Sequence, residues 1–193
     1  TTTQWASLAT DDLVAMGPAQ WVAVATDDLQ ALLAVQWSAI EAEDLVGLST
    51  SQWVAMATDD LASLTTAQWS SLATDDLVAM RSTQWSALAT DDLRGLDGDA
   101  QWAAMASDDL VSLTTSQWMA MASDDLAALS TAQWAYLATE DLNALLETQW
   151  SSLAFDDLNA LTTAQWTAIS STALVALTSE QWQQMTTGDL IAL

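Results

Sequence analysis

The chain has 193 residues, with 26 acidic against two basic side chains and a formal net charge of −24. Such a charge repels nucleic acid and anionic membrane surfaces, so divalent cations or a neutral surface are the partners that the charge favours. Cys and His are both absent, which excludes disulfides, thiol catalysis and the commonest acid–base side chain. We therefore expect no enzymatic activity and no cofactor, calcium being the one ion left to consider.

A sixteen-residue repeat extends through the whole chain, and residues 65–80 (TTAQWSSLATDDLVAM) show its typical form. Gln-Trp occurs twelve times, from Gln4-Trp5 to Gln181-Trp182, always sixteen residues apart except for one step of seventeen. A period this regular is typical of a solenoid. We expect one array over 1–193, with a kink at 97–100 between two six-repeat halves, 1–96 and 101–193. The chain starts at a repeat edge without Met, so we expect a processed product or a segment.

Four positions of the repeat are apolar in every copy: Trp, an aliphatic residue three positions later, Leu, and Leu or Met three positions after that. A spacing of three places each pair on one face of a helical turn. An unbroken helix would rotate successive pairs by about 80°, so the helix must break twice per repeat. The sequence predicts an all-α solenoid of twelve sixteen-residue repeats, each with two helices of about six residues. We expect one solenoid turn per repeat, with a Trp-bearing and a Leu-bearing layer.

The predicted helix breaks coincide with hydroxyl residues rather than with Gly or Pro. Thr66 precedes Ala-Gln-Trp and Thr74 precedes Asp-Asp-Leu, so both are expected to cap a helix start, as Ser, Thr and Asp do elsewhere in the chain. The position two after the invariant Leu is always Ala, Gly or Ser, which indicates a close approach between helices. Gln precedes every Trp, and we expect it to hydrogen-bond the backbone of a neighbouring turn.

An acidic pair occurs just before Leu in ten repeats. Its first position accepts Glu, at Glu43 and Glu140, whereas its second is Asp in eleven of twelve repeats. The first position therefore indicates a need for negative charge, and the second a need for the particular side-chain geometry of Asp. One interpretation is structural, since carboxylates in the first helical turn interact well with the helix dipole. The other is a row of weak calcium sites, to which Asp97-Gly98-Asp99 would add a fragment of a calcium loop. The candidate ligands are Asp11, Asp12, Asp27, Asp28, Asp59, Asp60, Asp75, Asp76, Asp91, Asp92, Asp97, Asp99, Asp108, Asp109, Asp124, Asp125, Asp156 and Asp157.

The Trp column has two interpretations as well. Its fixed offset from an aliphatic position favours a place in the core, with indole edges at the surface, over a carbohydrate-binding strip. The Thr and Ser columns form regular hydroxyl rows, which raise an ice-binding or surface-adsorbing alternative.

Residues 64–68 (LTTAQ) and 161–165 (LTTAQ) resemble the LTTAQ-type tandem repeats of large secreted bacterial surface and type I-exported proteins. The resemblance implies an extracellular spacer, matrix or adhesive role. Because the first and last repeats both carry the full apolar set, we expect an acidic repeat rod that stacks head to tail into a filament or forms part of a longer rod. The alternative is a binding module, a calcium-loaded or ice-adsorbing repeat rod.

Overall fold

The computed structural model describes residues 1–98 and 100–193, and the calcium expectation for Asp99 lies outside the described residues. Within those ranges the chain forms 24 short α-helices and no strand, which confirms the predicted all-α repeat fold. The Trp-bearing helices are α1 (Thr2–Ala6), α3 (Pro18–Trp21), α5 (Ala34–Trp37), α7 (Thr50–Ala55), α9 (Thr66–Ser71), α11 (Ser82–Trp85), α13 (Gln101–Ala104), α15 (Thr115–Ala120), α17 (Thr131–Tyr136), α19 (Glu147–Ser152), α21 (Thr163–Ala168) and α23 (Ser179–Gln184). The Leu-bearing helices are α2 (Thr10–Val14), α4 (Thr26–Leu29), α6 (Ala42–Leu45), α8 (Thr58–Leu61), α10 (Thr74–Ala79), α12 (Thr90–Leu93), α14 (Ser107–Ser112), α16 (Ser123–Ala127), α18 (Thr139–Ala144), α20 (Phe155–Ala160), α22 (Ser171–Ala176) and α24 (Thr187–Ala192).

The chain is divided into two compact units, Thr1–Asp97 with α1–α12 and Gly98–Leu193 with α13–α24. The boundary lies in the 97–100 segment, where the sequence has its single step of seventeen residues. Each unit contains six repeats with the same helix order. One continuous array over both units stays a prediction.

Most helix breaks contain extended residues rather than a left-handed turn, Ala100 before α13 being an exception with φ −96° and ψ −46°. Between α9 and α10, Leu72 has φ −65° and ψ 140°, and Ala73 has φ −68° and ψ 144°. No described residue has a positive φ. The breaks therefore need no glycine, and the aliphatic residue at the break remains free to enter the core.

In Trp-bearing helices such as α9 the hydroxyl cap lies one residue earlier than the sequence suggested, whereas Ala73, the residue before the Leu-bearing helix α10, makes no side-chain cap. Thr65 Oγ1 accepts a hydrogen bond from the N–H of Gln68 at 3.3 Å, whereas Thr66 and Thr74 are the first residues of α9 and α10. The prediction for those two residues is wrong, because the residue before a helix adopts the extended conformation from which its side chain reaches back to the helix amides. Side-chain caps occur also at Thr114, Ser130, Thr162, Ser170, Thr178 and Thr186.

Helices within each unit pack against the third helix along the chain. In the first unit α7 packs on α10, and in the second α21 packs on α24. These partners start 24 residues apart, so one turn of the array spans three helices rather than the predicted two. A step of three changes a Trp-bearing into a Leu-bearing helix, and the two kinds alternate along each side. Separate Trp and Leu layers are therefore absent from the described residues, and that expectation is wrong.

The core consists of the four apolar columns. Trp21 to Trp166 in the Trp column have exposed fractions of 0–1%, and the aliphatic and Leu columns are almost all buried beside them. The core interpretation of the Trp residues is confirmed, and their indole edges are covered too. The Trp of the first and of the last repeat, Trp5 and Trp182, are half-buried.

The small-residue column marks the closest contact between turns. A Cβ built on Gly47 would lie 2.6 Å from Cα of Pro18, and one on Gly95 would lie 2.8 Å from Cα of Thr66. Pro18 and Thr66 begin the helices that pack against α6 and α12, so the backbones meet there without an intervening side chain. The predicted close approach is confirmed at both glycines.

We predict that Gly47→Ala lowers the free energy of unfolding by about 1–3 kcal/mol, because the Pro18 backbone must move to admit the methyl group. The matched control is Gly17→Ala, since a Cβ at Gly17 meets nothing within 4 Å. Urea denaturation of both variants checks the difference. Equal stability of the two would show that the turns separate there at little cost.

Candidate functional site: the turn-to-turn interface

The Gln residues that precede the Trp column connect successive turns through their side-chain amides. Gln68 Nε2 donates to the carbonyl of Trp37 at 2.8 Å and to that of Ile40 at 2.7 Å. Its Oε1 accepts from the N–H of Thr65 at 2.6 Å. The acceptors always lie 31 and 28 residues earlier, the first within the Trp-bearing helix two repeats before and the second shortly after that helix ends. We call this set the Gln ladder: Gln36, Gln52, Gln68, Gln84, Gln133, Gln149, Gln165 and Gln181.

The side-chain amide of glutamine has the groups that this position needs. The site needs one acceptor for an amide at the start of its own helix and two donors for carbonyls at the end of another. A side-chain amide supplies both, whereas a carboxylate has no donor and an apolar side chain has neither. The predicted bond to a neighbouring turn is confirmed. The sequence did not indicate that the bonded partner lies two repeats away, because one turn per repeat was expected.

The two positions of the acidic pair lie in different environments. All ten first-position residues are exposed, whereas the second-position Asp residues are buried from Asp44 onwards. Asp92 Oδ2 accepts a hydrogen bond from the N–H of Ala89 at 3.0 Å, in the same way as Gln Oε1 in the Trp-bearing helices. The interpretation of the first position as charge and the second as geometry agrees with this burial.

Each buried Asp lies three helices after a buried Trp. Trp37 and Asp60 are 23 residues apart. Burial raises the pKa of Asp60, and the backbone N–H of Ala57 and the nearby indole N–H of Trp37 oppose that rise, although the indole contact lacks ordinary hydrogen-bond geometry. Trp118 and Asp141, and Trp134 and Asp157, have the same spacing in the sequence. The near-invariance of the Asp column indicates that its side chain makes a specific contact. That the contact is with a Trp follows only once the turn is known to span three helices.

Burial raises the pKa of six second-position Asp residues. For Asp141 and Asp157 the pKa rises to about 6, with the charge of Glu140 or Asp156 adding to the effect and a backbone N–H opposing it. One oxygen of each of these carboxylates is buried without a hydrogen-bond partner. The pKa is raised for the same main reason at Asp44, Asp60, Asp76 and Asp92.

The predicted calcium ligands do not form a compact cluster in the part of the chain that the structure describes. No three acidic side chains there lie close enough together to hold a metal ion, because each pair directs one carboxylate outwards and one inwards. Calcium binding by the exposed first-position residues stays a prediction. Residues 1–98 and 100–193 also enclose no pocket. None of their helices is long and apolar enough to span a bilayer.

The regular helix pairing and the Gln ladder define an α-helical solenoid of short-helix tandem repeats. The family model of the ALTTAQ repeat matches residues 37–74 and 151–187, so these two segments are similar to ALTTAQ repeats. These segments contain both LTTAQ stretches on which the resemblance rested. No curated protein and no solved structure matches the chain.

We predict that Gln84→Leu lowers the free energy of unfolding by about 3 kcal/mol or more, because a buried N–H and two carbonyls lose their partners at about 1–3 kcal/mol each. Those partners are Arg81, Trp53 and Met56. Gln20→Leu is the matched control, since the described bond of Gln20 is the one from the Gly17 N–H. Urea denaturation checks the comparison. A loss for Gln84→Leu no larger than for Gln20→Leu would contradict a stabilising role of the ladder.

We predict that the chain becomes more stable as the pH falls from 7. Asp141 and Asp157 bind protons more readily in the folded chain than in the unfolded one, so the free energy of unfolding rises through about pH 6 and levels off near pH 3.8. The variant Asp141→Asn/Asp157→Asn should show a smaller rise. Glu180→Gln, which removes an exposed carboxylate, is the control. Melting temperatures measured across this pH range show how the stability of each protein changes with pH. An equal change for all three proteins would refute the role of Asp141 and Asp157.

Proposed function

We propose that the chain is a structural protein, an acidic repeat array that associates head to tail into an extracellular filament or forms part of a longer surface or matrix protein. The observation that carries the proposal is an interface that repeats along the chain and leaves a complementary half at each end. The extracellular, bacterial setting rests on the resemblance of its repeats to LTTAQ-type tandem repeats of large secreted proteins. The proposal includes no catalytic step and no nucleic-acid partner.

The last turn exposes side chains that the following turn covers elsewhere. Val46 and Val78 follow the invariant Leu within the first unit and are 47% and 44% exposed. Their equivalents Val175 and Ile191, in α22 and α24, are 85% and 80% exposed. Packing of one further turn onto this end would therefore bury apolar surface, which favours association.

The first turn exposes the opposite half of the same interface. Gln4 and Gln20 are exposed, whereas the Gln ladder residues are buried, and Trp5 is only half-buried. The two ends thus carry different and complementary surfaces. A contact of this kind is heterologous and repeats without closing when no rotation brings the ends together, which produces a filament.

Electrostatic repulsion opposes this association. Each chain carries a formal charge of −24, and its first-position acidic residues lie exposed. Salt screens such charges over about 8–10 Å at physiological ionic strength, so association should strengthen as the salt concentration rises. Divalent cations bound loosely to the exposed carboxylates would act in the same direction.

We predict that the 193-residue chain elongates as its concentration rises, and that Val175→Asp/Ile191→Asp keeps it monomeric because it places charge on the apolar end. Val35→Asp is the control, since Val35 is 62% exposed in α5, away from the last turn. Sedimentation velocity and negative-stain electron microscopy provide the measurement. A wild-type chain that remains monomeric at every attainable concentration and at high salt would rule the proposal out.

A further inference from the structure

We propose that a core Trp and the buried Asp three helices later form a hydrogen bond between turns that one proton controls, because the indole N–H donates to the carboxylate only while the carboxylate is ionised. The bond would lie inside each unit, so it does not depend on the proposed association. Its basis is a buried donor and a buried acceptor that the fold leaves without partners. In the pairs Trp118 with Asp141 and Trp134 with Asp157, the indole Nε1 and the carboxylate Oδ2 are both buried without a hydrogen-bond partner.

The fold brings the two groups of each pair together. Trp118 lies in α15 and Asp141 in α18, and these two helices pack against each other, as α17 and α20 do around the second pair. The separation of 23 residues is that of Trp37 and Asp60, where the indole N–H opposes the rise in the carboxylate pKa as a hydrogen-bond donor does. Trp118 is 0% and Asp141 6% exposed, so the two groups meet away from solvent.

The charge of the carboxylate decides how much this donor contributes. An ionised carboxylate taken out of water is costly unless donors surround it, and a hydrogen bond to an ionised acceptor is roughly twice as strong as one between neutral groups. An indole N–H can only donate. Loss of the proton should therefore draw the indole N–H and the carboxylate into hydrogen-bond geometry, and uptake of the proton should release them.

Few other groups act on these two carboxylates. Each has one backbone N–H donor and one acidic neighbour at its own helix start, namely Ala138 and Glu140 for Asp141, and Ala154 and Asp156 for Asp157. The packing helix α15 has no titratable side chain, and the one in α17, Tyr136, donates to Asp108 instead. The indole N–H is therefore the donor that each packing helix offers to the carboxylate.

The proton is exchanged close to neutral pH. Burial raises the pKa of both carboxylates to about 6, so the bond should form as the pH rises through that value. The bond offsets part of the cost of ionisation without reversing the fall in stability. Each unit would thus have Trp–Asp bonds between its turns that are closed above about pH 6 and open below it.

The chain contains its own reference for this contact. Trp150 has the same position in its repeat as Trp118 and Trp134, but the residue 23 positions later is Ala173. Ala173 is 4% exposed and lies in α22, which packs on the Trp150 helix α19. The indole Nε1 of Trp150 is buried without a partner as well. This indole therefore has the same surroundings without the carboxylate.

The first test follows the indole N–H protons of the full chain by NMR, with isotope-labelled Trp. The signals of Trp118 and Trp134 should move downfield as the pH rises through about 6, because a hydrogen bond to a carboxylate deshields the proton, whereas the Trp150 signal should stay in place. Asp141→Asn should abolish the movement at Trp118 alone. Trp118→Phe, Trp134→Phe and Trp150→Phe assign the three signals.

The second test measures the carboxylate. Trp118→Phe keeps an aromatic ring but removes the indole N–H, so it should raise the pKa of Asp141 by about one pH unit or more, which is about a tenfold change in proton affinity. Trp150→Phe is the matched control and should leave that pKa unchanged, since Trp150 has no Asp partner. Carbon NMR of the Asp carboxyl groups gives both values, and circular dichroism verifies that the variants fold.

The outcomes decide for or against the proton-controlled bond. Movement at Trp118 and Trp134 but not at Trp150, together with a raised Asp141 pKa in Trp118→Phe, supports it. Equal movement at Trp150 would show that the indoles respond to the overall charge, and overturns it. Signals that stay in place at all three Trp residues, or an Asp141 pKa that Trp118→Phe leaves unchanged, overturn it as well, because the carboxylates then titrate without the indole contact.

Discussion

The Gln ladder is the interaction on which the rest of this structure depends. Helices of four to six residues leave most of their backbone amides and carbonyls without partners inside the helix. Each ladder Gln binds one amide at its own helix start and two carbonyls at a helix end two repeats earlier. It therefore compensates for the shortness of two helices at once, and it holds consecutive turns at one distance. Substitution of the ladder by any other side chain would leave part of this set unpaired.

The two halves of the repeat solve the same backbone problem with different chemistry. In the Leu-bearing helices the second-position Asp can accept a hydrogen bond from a backbone N–H at the helix start, as Asp92 does from Ala89, but its carboxylate has no donor for a carbonyl. It lies buried, three helices after a Trp, and its pKa rises where burial dominates, as at Asp141 and Asp157. The exposed acidic position next to it keeps most of the charge in solvent. Each repeat thus has one exposed carboxylate that carries charge into solvent and one carboxylate at the helix start that accepts backbone hydrogen bonds.

The interface between turns repeats along each unit, and the same surface is the one that we propose for assembly. The same groups that join turns inside each unit are exposed at the first and last turns, with Gln4 and Gln20 at one end and Val175 and Ile191 at the other. Association in register would reuse contacts that the fold already makes, so it requires no new surface. The high negative charge would oppose the proposed assembly, which should therefore depend on ionic strength.

The sequence by itself determined the local structure. The spacing of Trp, Leu and the aliphatic residues showed that the helix breaks twice per repeat, and the strict Gln and small-residue columns indicated contacts between turns. Only the tertiary structure decided which turns those were. The angle between two short helices depends on how their side chains pack, and no pattern of sixteen residues specifies it, so the three-helix turn and the Trp37–Asp60 contact could not be derived beforehand. The expected cap at Thr66 was wrong by one residue because two hydroxyl residues, Thr65 and Thr66, stand side by side, and Thr74 is the first helical residue after Ala73, which has no capping side chain. Only the backbone conformation distinguishes the residue before a helix from the first helical residue.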